Sequence, residues 1–494
     1  MSFVTHFGRW HGFLGAAALL AGCAVGPDFE PPQAASAAAT MQPRDGQPVQ
    51  ALADDPVPRD WWRLLDDPVL DALIARAWDG NLSLQAAAER VEQSRARSGI
   101  VMAALFPRVG LKAGMDRQAI SENGPMARLG ASTAAHELWQ AGFDASWELD
   151  VWGRVRRQRE GALASLEATM QEQRGAQVSL SAEIARQYLA LRGVQKRLAI
   201  AGQNHAIATH LVELAQSRQR NGVATRFDLA SARAQLAAVD ALLPQLRDQH
   251  GVLLNALALL VGQPPRALDA QLAEARPLPG AAPRLPVGVP SELAQRRPDI
   301  QAAQARLHAA TAAIGAAKAD FYPRISLAGG FGVQAFDAQD LGLWSSTQFF
   351  VGPRIHLPIF EGGRLVRTLE LTESRQREAA IAYRQTVLQA WHEVDNALNA
   401  LVAQQQRRTA LEEAFAQNRE ALQAAEASYR AGVADYVTVL TAQRGVLASE
   451  LELSDAATGS VVAVVHLYKA LGGGWAPPPA SHAASRAPFA GSAQ

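Results

Sequence analysis

The feature that most constrains how this chain folds is an internal repeat. Arg220-Asn-Gly-Val-Ala224 returns as Arg430-Ala-Gly-Val-Ala434 at an offset of 210 positions. Leu105-Phe-Pro-Arg-Val109 is matched by Phe321-Tyr-Pro-Arg-Ile325 at an offset of 216. A repeat of this length indicates a tandem duplication, in which each copy folds into the same succession of elements.

Two segments of each copy alternate apolar and polar residues with the period of a β-strand. Leu111 and Met115, for example, are each followed by a charged residue, Lys112 and Asp116. The predicted strands cover about 106–118 and 140–152 in the first copy and about 322–335 and 347–360 in the second. Strands of this length with one apolar and one charged face are typical of a membrane barrel with a wet interior. The strands alone leave a half-buried soluble hairpin open as the alternative.

Long helical segments follow each pair of strands. Leu180, Ile184 and Tyr188 keep the spacing that makes a coiled-coil seam with a neighbouring helix. Gly222 and Gly432 are placed where the longest helices, each reaching roughly 100 Å, would stop and turn. The predicted long helices are about 154–218 and 225–261, then about 364–430 and 435–471, and helical segments at about 68–103 and 291–319 precede the strands.

Four membrane strands cannot close a barrel, because single-chain barrels begin at eight strands and lipid does not tolerate an open sheet edge. We therefore expect other copies of the chain to supply the missing strands. Three copies would give twelve strands and a wide pore, whereas two copies would also reach eight. The residues by themselves leave this number open.

The N-terminus predicts a lipoprotein. The apolar stretch Phe13–Leu20 is too short to span a bilayer and is typical of a secretory signal at 1–22. It ends in Leu20-Ala-Gly-Cys23, which resembles the bacterial lipobox, so we expect a covalent lipid on Cys23 and an outer-membrane location. An ordinary signal peptide with an incidental cysteine is the alternative. Further expected segments are a tether at 23–60, the first repeat at 61–285, the second repeat at 286–475 and a flexible tail at 476–494.

Charge and composition exclude several classes of function. With 47 basic and 47 acidic residues, the chain offers no long-range field to nucleic acid, and we expect no nucleic-acid partner. A single cysteine cannot form an internal disulfide or a thiolate metal cage. His136-Glu137 and His392-Glu393 lack the second histidine of a zinc-binding helix, and no nucleophile elbow or phosphate loop is present. The prediction is no enzyme, no catalytic residue, no metal site and no cofactor apart from the lipid.

Short motifs spread over the mature chain resemble a known family. They are Cys23-Ala-Val-Gly-Pro-Asp-Phe29, Trp61-Trp62, Asp67-Pro68, Tyr188-Leu-Ala-Leu-Arg192, Pro290-Ser-Glu-Leu293, Arg296-Arg-Pro-Asp-Ile300, Phe321-Tyr-Pro-Arg324, Tyr429-Arg-Ala-Gly432 and Leu467-Tyr-Lys-Ala-Leu-Gly-Gly-Gly-Trp475. With these motifs the chain resembles the TolC-like outer-membrane factors, in the lipoprotein branch of the OprM and NodT type. The resemblance implies a mainly α tandem-repeat fold, with a trimeric twelve-stranded membrane β-barrel and a long periplasmic α-helical barrel.

The resemblance also implies partners and a function. It implies a homotrimer in the outer membrane of a Gram-negative bacterium, joined to a periplasmic adaptor and an inner-membrane pump, commonly of the RND type. The implied function is the passive exit channel of a tripartite efflux system for drugs or other small toxic compounds. A periplasmic adaptor or a structural lipoprotein is the alternative, but an adaptor is expected to have one helical hairpin between β-rich soluble domains.

The family closes its duct at the periplasmic tip, just after the Tyr-Arg-x-Gly turn. The resemblance places Leu440 or its neighbours on a hydrophobic constriction, which gates by dewetting. Relatives commonly have an aspartate where this chain has Thr441, so the resemblance leaves an acidic ring at the tip open, with Asp228 as the candidate to supply charge instead. Further candidates at the gate are Thr438, Tyr436, Tyr429 and Arg226, together with Asp228. A helix N-cap is the alternative role for Asp228, and an ordinary surface position is the alternative for Tyr429, Tyr436 and Arg226.

Overall fold

A computed structural model describes residues 24–32, 52–53, 55–280, 285–287 and 296–475. It divides into two compact units. Of the described residues, the strand unit consists of 24–32, 90–169 and 302–384. The helical unit consists of 52–53, 55–89, 170–280, 285–287, 296–301 and 385–475. Each unit takes segments from both copies of the repeat, so neither unit coincides with one copy.

The strand unit contains a four-stranded antiparallel sheet. Its strands, in the order in which they pair, are Arg108–Gln118, His136–Leu149, Arg324–Ala335 and Thr347–His356. The second strand begins before the predicted 140 and ends at 149, and the fourth ends before the predicted 360. The hairpin loops contain a short helix, Pro125–Arg128, and two 3-10 turns, Ala338–Gly342 and Trp344–Ser346.

The register of the sheet places the predicted apolar positions on one face. Leu111 lies opposite Phe143, Phe143 opposite Phe331, and Phe331 opposite Phe349. All four side chains are more than half exposed in the single chain, up to 78% for Phe349. A continuous exposed apolar face of this kind needs a covering, which in an outer-membrane protein is lipid.

The opposite face of the sheet is polar and closely packed at its glycines. The Lys112 ammonium lies 3.3 Å from the Asp144 carboxylate. Gly142 and Gly332 face each other so closely that a Cβ on Gly142 would lie 2.8 Å from the Gly332 Cα. The glycines at 142 and 332 therefore permit the close approach of two strands.

Two helical hairpins follow the strands and have identical lengths. Arg154–Arg220 and Arg364–Arg430 each have 67 residues, and the returning helices Arg226–Leu260 and Tyr436–Ala470 each have 35. We call each long helix with its returning helix the first and the second hairpin. Corresponding helix ends are 210 positions apart, the same offset that the sequence repeat shows.

The predicted single helical segment at 68–103 is wrong, because the structure has two helices, Pro68–Gly80 and Leu82–Ala103. Asn81 separates them with an extended backbone, and the hydrogen bonds of its side-chain amide explain the break. Its Oδ1 accepts a hydrogen bond from the Leu84 N–H at 2.9 Å, and its Nδ2 donates to Leu260 O at 2.8 Å. In the second copy the corresponding described helix is Pro298–Ala319, and residues 291–295 of the prediction lie outside the described residues.

The main core lies in the helical unit, and the recognised motifs form part of it. The Tyr188 hydroxyl donates to Asp67 Oδ2 at 2.6 Å, while Asp67 caps the helix that begins at Pro68. Buried Arg297 donates to Asp299 Oδ2 at 2.6 Å and to Glu393 Oε2 at 2.7 Å. These charged motifs therefore hold helices together.

Smaller elements complete the helical unit. Trp61–Leu65 is a 3-10 turn, and Asp269–Leu272 is a short helix. Leu52–Ala53 pairs in parallel with Leu285–Pro286. Within the described ranges, no helix combines the length and the apolar character needed to cross a bilayer.

Candidate functional site

The predicted gate lies at the turns of the two hairpins, and both turns are built on a left-handed glycine. Gly222 has a φ of 72° and Gly432 a φ of 73°. At the first turn the Val223 N–H donates to Arg218 O at 2.9 Å, and the Gly222 N–H donates to Gln219 O at 3.0 Å. The second turn has the same two bonds 210 residues later. This pair of bonds is a Schellman motif, which ends each long helix where the sequence predicted a turn.

The returning helices begin with the same two residue types in opposite order. In the first hairpin Thr225 is the N-cap and accepts from the Asp228 N–H at 3.2 Å, while Asp228 accepts from the Thr225 N–H at 2.7 Å. In the second hairpin Asp435 is the N-cap and accepts from the Thr438 N–H at 2.9 Å and from its hydroxyl at 2.6 Å. The Thr438 hydroxyl is the main cause that lowers the pKa of Asp435 below its usual range.

Asp228 is therefore not the N-cap that the sequence offered as its alternative role. It occupies the third helical position, where its carboxylate closes a capping box with Thr225. Both carboxylates at the turns, Asp228 and Asp435, satisfy helix N-terminal donors.

An apolar cluster joins the two hairpins behind these turns. We call it the tip cluster, and its buried members are Ala215, Leu229, Ala232, Tyr436 and Leu440, with Leu211, Val212 and Tyr429 packed against them. It takes side chains from both helices of the first hairpin and from both helices of the second. The tip cluster therefore fixes one hairpin against the other inside a single chain.

Tyr436 is the central member of the tip cluster. Its hydroxyl donates to Leu211 O at 3.2 Å, and its ring lies 5.6 Å from the Tyr429 ring. The Arg218 guanidinium lies 5.0 Å from the centre of the Tyr429 ring, in a cation–π arrangement. Burial, with a smaller effect of Tyr429, raises the pKa of Tyr436 to about 12. The side chain is therefore neutral at physiological pH and available as a hydrogen-bond donor.

Leu440 lies in the tip cluster rather than on an exposed face. Its side chain is only 2% exposed and packs inside its own chain. Val437 is half-buried and Thr441 is exposed, and the Thr441 hydroxyl donates to Val437 O at 2.8 Å. The accessible neighbours of Leu440 are thus Val437 and Thr441, which lie one turn apart on the same side of the helix.

The remaining candidates divide between the cluster and the surface. Tyr429 belongs to the cluster, whereas Thr438 is exposed and bonded within its own cap. Arg226 is exposed at the start of the first returning helix. The structure therefore brings together Tyr429, Tyr436 and Leu440 and leaves Arg226 outside.

Sequence reasoning missed three contributors to the site. Arg218 stacks on Tyr429, and Arg444 donates to Gln235 Oε1 at 2.6 Å, which links the two returning helices. A cavity of about 290 Å³ beside the cluster is lined by Arg218, Asp228 and Asp435 among others. Gln219 and Ser428, at the positions equivalent to Tyr429 and Arg218 in the other copy, show that the two copies differ at these sites. A position-by-position comparison of the two copies would have identified Arg218 and Tyr429 as positions where the copies differ.

The predicted lipid site, Cys23, lies outside the described residues, and the description begins at the next residue, Ala24.

Comparison with known proteins agrees with this architecture. A family model described as "Outer membrane efflux protein" matches residues 73–263 and 289–473. The chain is 35% identical to the pyoverdine export outer membrane protein OpmQ of Pseudomonas putida over 429 residues, which cover 86% of this chain and 90% of the relative. It is 34% identical to the outer membrane protein OprJ of Pseudomonas aeruginosa, over 92% of this chain and 94% of the relative. A solved structure of the outer-membrane channel OprN matches with a TM-score of 0.84 at 34% identity, over 92% of this chain and all of the channel chain.

Proposed function

Because the chain belongs to the outer membrane efflux protein family, we propose that it conducts solutes passively and is held shut by its tip cluster. As a member of this family it serves as the outer-membrane exit channel of a tripartite efflux system. The chain works with a periplasmic adaptor and an inner-membrane pump. The finer proposal is that a pump of the RND type drives drugs or other small toxic compounds through the duct. The exit channel itself performs no chemistry.

The sheet is the observation that carries the channel proposal. Its first strand, Arg108–Gln118, and its last, Thr347–His356, each pair with one neighbour, so that both edges of the described sheet are open. Its apolar face is exposed, and its other face carries Lys112, Asp144 and Arg354. Lipid requires every backbone donor and acceptor to be paired. Two further copies of the chain satisfy both edges and turn the charged faces toward a common aqueous lumen.

The tip cluster supports the closed state. Tyr436 and Leu440 of the second hairpin pack on Leu229 and Ala215 of the first, so the hairpins separate only if this cluster is broken. We place the narrow constriction at Val437 and Thr441, the accessible pair beside buried Leu440. Since Thr441 carries no charge, the constriction excludes water and solutes through its small apolar and hydroxyl surface, without an acidic ring.

Conductance of the purified protein in planar bilayers tests this proposal. Tyr436→Ala should raise the open fraction by at least about tenfold, because truncating a buried aromatic residue costs about 3 kcal/mol. Phe227→Ala is the matched control, since Phe227 is an aromatic residue at the same tip but 65% exposed. Unchanged conductance in Tyr436→Ala would disprove the closing role of the cluster, and absence of conductance in every variant would disprove the channel.

We further propose that Cys23 carries the lipid that anchors each copy in the outer membrane. The support is the Leu20-Ala-Gly-Cys23 motif together with the outer-membrane location of the family. Radioactive palmitate labelling of the chain tests this step, with Cys23→Ser as the unlabelled control.

A further inference from the structure

The segment that follows Cys23 is bound to the strand unit, although its composition predicts a flexible tether. The Val25 N–H donates to Trp152 O at 3.1 Å. Ala24 lies against Gly153, where an added Cβ would be 2.8 Å from the Ala24 Cβ. Gly26 lies on Gly315, and a Cβ on Gly26 would be 2.4 Å from the Gly315 Cα. Only glycines permit this close approach.

A buried arginine holds the same segment from the side. Arg157 is 5% exposed, and its two terminal nitrogens donate to Asp28 Oδ1 at 2.7 Å and to Glu160 Oε2 at 2.8 Å. A buried guanidinium needs such partners, because its desolvation is costly without them. The hydrogen bond from Arg157 to Asp28 therefore stabilises the buried guanidinium and holds the segment in place.

The last contact of the segment is a ring stack. The Phe29 ring lies 4.3 Å from the His308 ring at an interplanar angle of 14°. His308 Nε2 in turn lies 2.9 Å from Glu160 Oε1, so that the stack and the Arg157 network share one carboxylate. Since Arg157 belongs to the first copy of the repeat and His308 to the second, the segment bridges the two copies within the strand unit.

The segment also lies beside a stacked pair of aromatic residues. Trp152, whose carbonyl accepts from Val25, stacks on Tyr322 at 4.8 Å and donates through Nε1 to Pro323 O at 2.9 Å. Trp and Tyr rings in outer-membrane proteins concentrate at the boundary between lipid and water. Ala24 lies against Gly153, beside an aromatic pair that is typical of this boundary.

We infer that residues 24–29 form a docked strap that fixes the position of the lipidated N-terminus against the start of the first long helix. This inference rests on the proposed lipidation of Cys23, since an unlipidated strap would join the two copies without positioning an anchor. A fixed anchor holds the acyl chains in a defined position on the chain as they enter the membrane.

Two variants and two controls isolate the strap. Gly26→Ala displaces the strap from Gly315, and Arg157→Ala removes the bond to Asp28. Glu30→Ala changes an exposed residue just beyond the strap, and Arg159→Ala changes an exposed arginine two positions from Arg157. All four are made in the full-length chain, purified from outer membranes.

Hydrogen exchange and palmitate labelling are then measured on the same samples. In the native chain the Val25 amide should be protected, and Gly26→Ala and Arg157→Ala should speed its exchange by at least about tenfold, because the amide loses its structured acceptor. The controls should exchange like the native chain, and all proteins should be labelled equally.

Each other outcome overturns a defined part of the inference. A labelled native chain in which Val25 exchanges as fast as in a free peptide disproves the strap and leaves the lipidation intact. A protected Val25 in an unlabelled native chain disproves the lipidation, and with it the positioning of an anchor. Equal exchange in Arg157→Ala and Arg159→Ala disproves the role of the Arg157–Asp28 bond.

Discussion

The first and second hairpins have the same helix lengths and the same glycine stops, yet their tips carry different side chains. Arg226, at the start of the first returning helix, is exposed, whereas its counterpart Tyr436 is 8% exposed. Ala230 is likewise exposed, whereas its counterpart Leu440 is buried. The duplication thus preserved the backbone while the two tips diverged in their packing.

This difference explains how one chain holds its own tip together. Two identical tips would present the same surface to each other, but here Tyr436 and Leu440 project from the second hairpin into a site formed by Ala215 and Leu229 of the first. The caps diverged too, from Thr225 with Asp228 to Asp435 with Thr438, and each arrangement still satisfies the helix donors. The glycine stops and helix caps are therefore kept in both copies. The tip cluster is formed by side chains that differ between the copies.

The largest expected effect comes from the pair of positions 230 and 440. Leu440→Ala should lower the local opening free energy of the tip by about 3 kcal/mol, because it removes a buried leucine from a packed cluster. Ala230→Leu should change it by no more than about 0.5 kcal/mol, because position 230 is exposed. Hydrogen exchange of the segments around both turns measures the difference. Equal effects at the two positions would show that the tips are not asymmetric.

A smaller effect is expected from the hydroxyl of Tyr436. Tyr436→Phe keeps the ring and loses the bond to Leu211 O, which should cost about 1 kcal/mol. The raised pKa of about 12, against an ordinary value of 10.0, adds a pH signature. The neutral phenol is favoured in the folded tip, so its contribution is complete below pH 10.0 and is lost as pH rises toward about 12. Hydrogen exchange across this range should show alkaline loosening in the native chain that Tyr436→Phe lacks, and the same loosening in both would refute the assignment.

The smallest effect is expected at the helix caps. Thr225→Ala should destabilise the first returning helix by about 0.5 to 1 kcal/mol. Asp435→Ala should weaken the second helix in the same way. Because the pKa of Asp435 is lowered from its ordinary value of 3.8, its carboxylate stabilises the fold above that pH and loses this effect as pH falls through the lowered pKa.

Asp435→Asn separates the two contributions of that cap. Asparagine keeps an acceptor at the N-cap, so exchange at the second turn should remain slow at neutral pH and become insensitive to acid. Acid sensitivity that persists in Asp435→Asn would show that another group is responsible.

Regular elements followed from the sequence because their signals are local. The ends of the four long helices lie within two residues of the predicted limits, since glycine stops and apolar spacing are properties of adjacent residues. The break at Asn81 was missed because one of its bonds reaches Leu260 O, which no local pattern contains. The strap at 24–29 was missed for a similar reason, as the bond from Arg157 to Asp28 joins residues 129 positions apart.

The site was predictable in its location and less so in its details. The turn motifs locate the hairpin tips, and the constriction was expected at Leu440 or its neighbours. The motifs do not show that the Leu440 side chain packs inside its own chain. Side-chain direction at a helix end depends on which neighbouring helix it meets, and that neighbour lies in the other copy of the repeat. The contact of Arg218 with the Tyr429 ring could not be predicted for the same reason, because Tyr429 belongs to the other copy.

The two open edges of the four-stranded sheet need further copies of the chain to complete them. Native mass spectrometry of the protein, released from outer membranes in a mild detergent, tests this directly. We predict a complex of three chains that persists until the sheet is denatured. A single chain that retains its folded sheet in detergent would contradict it.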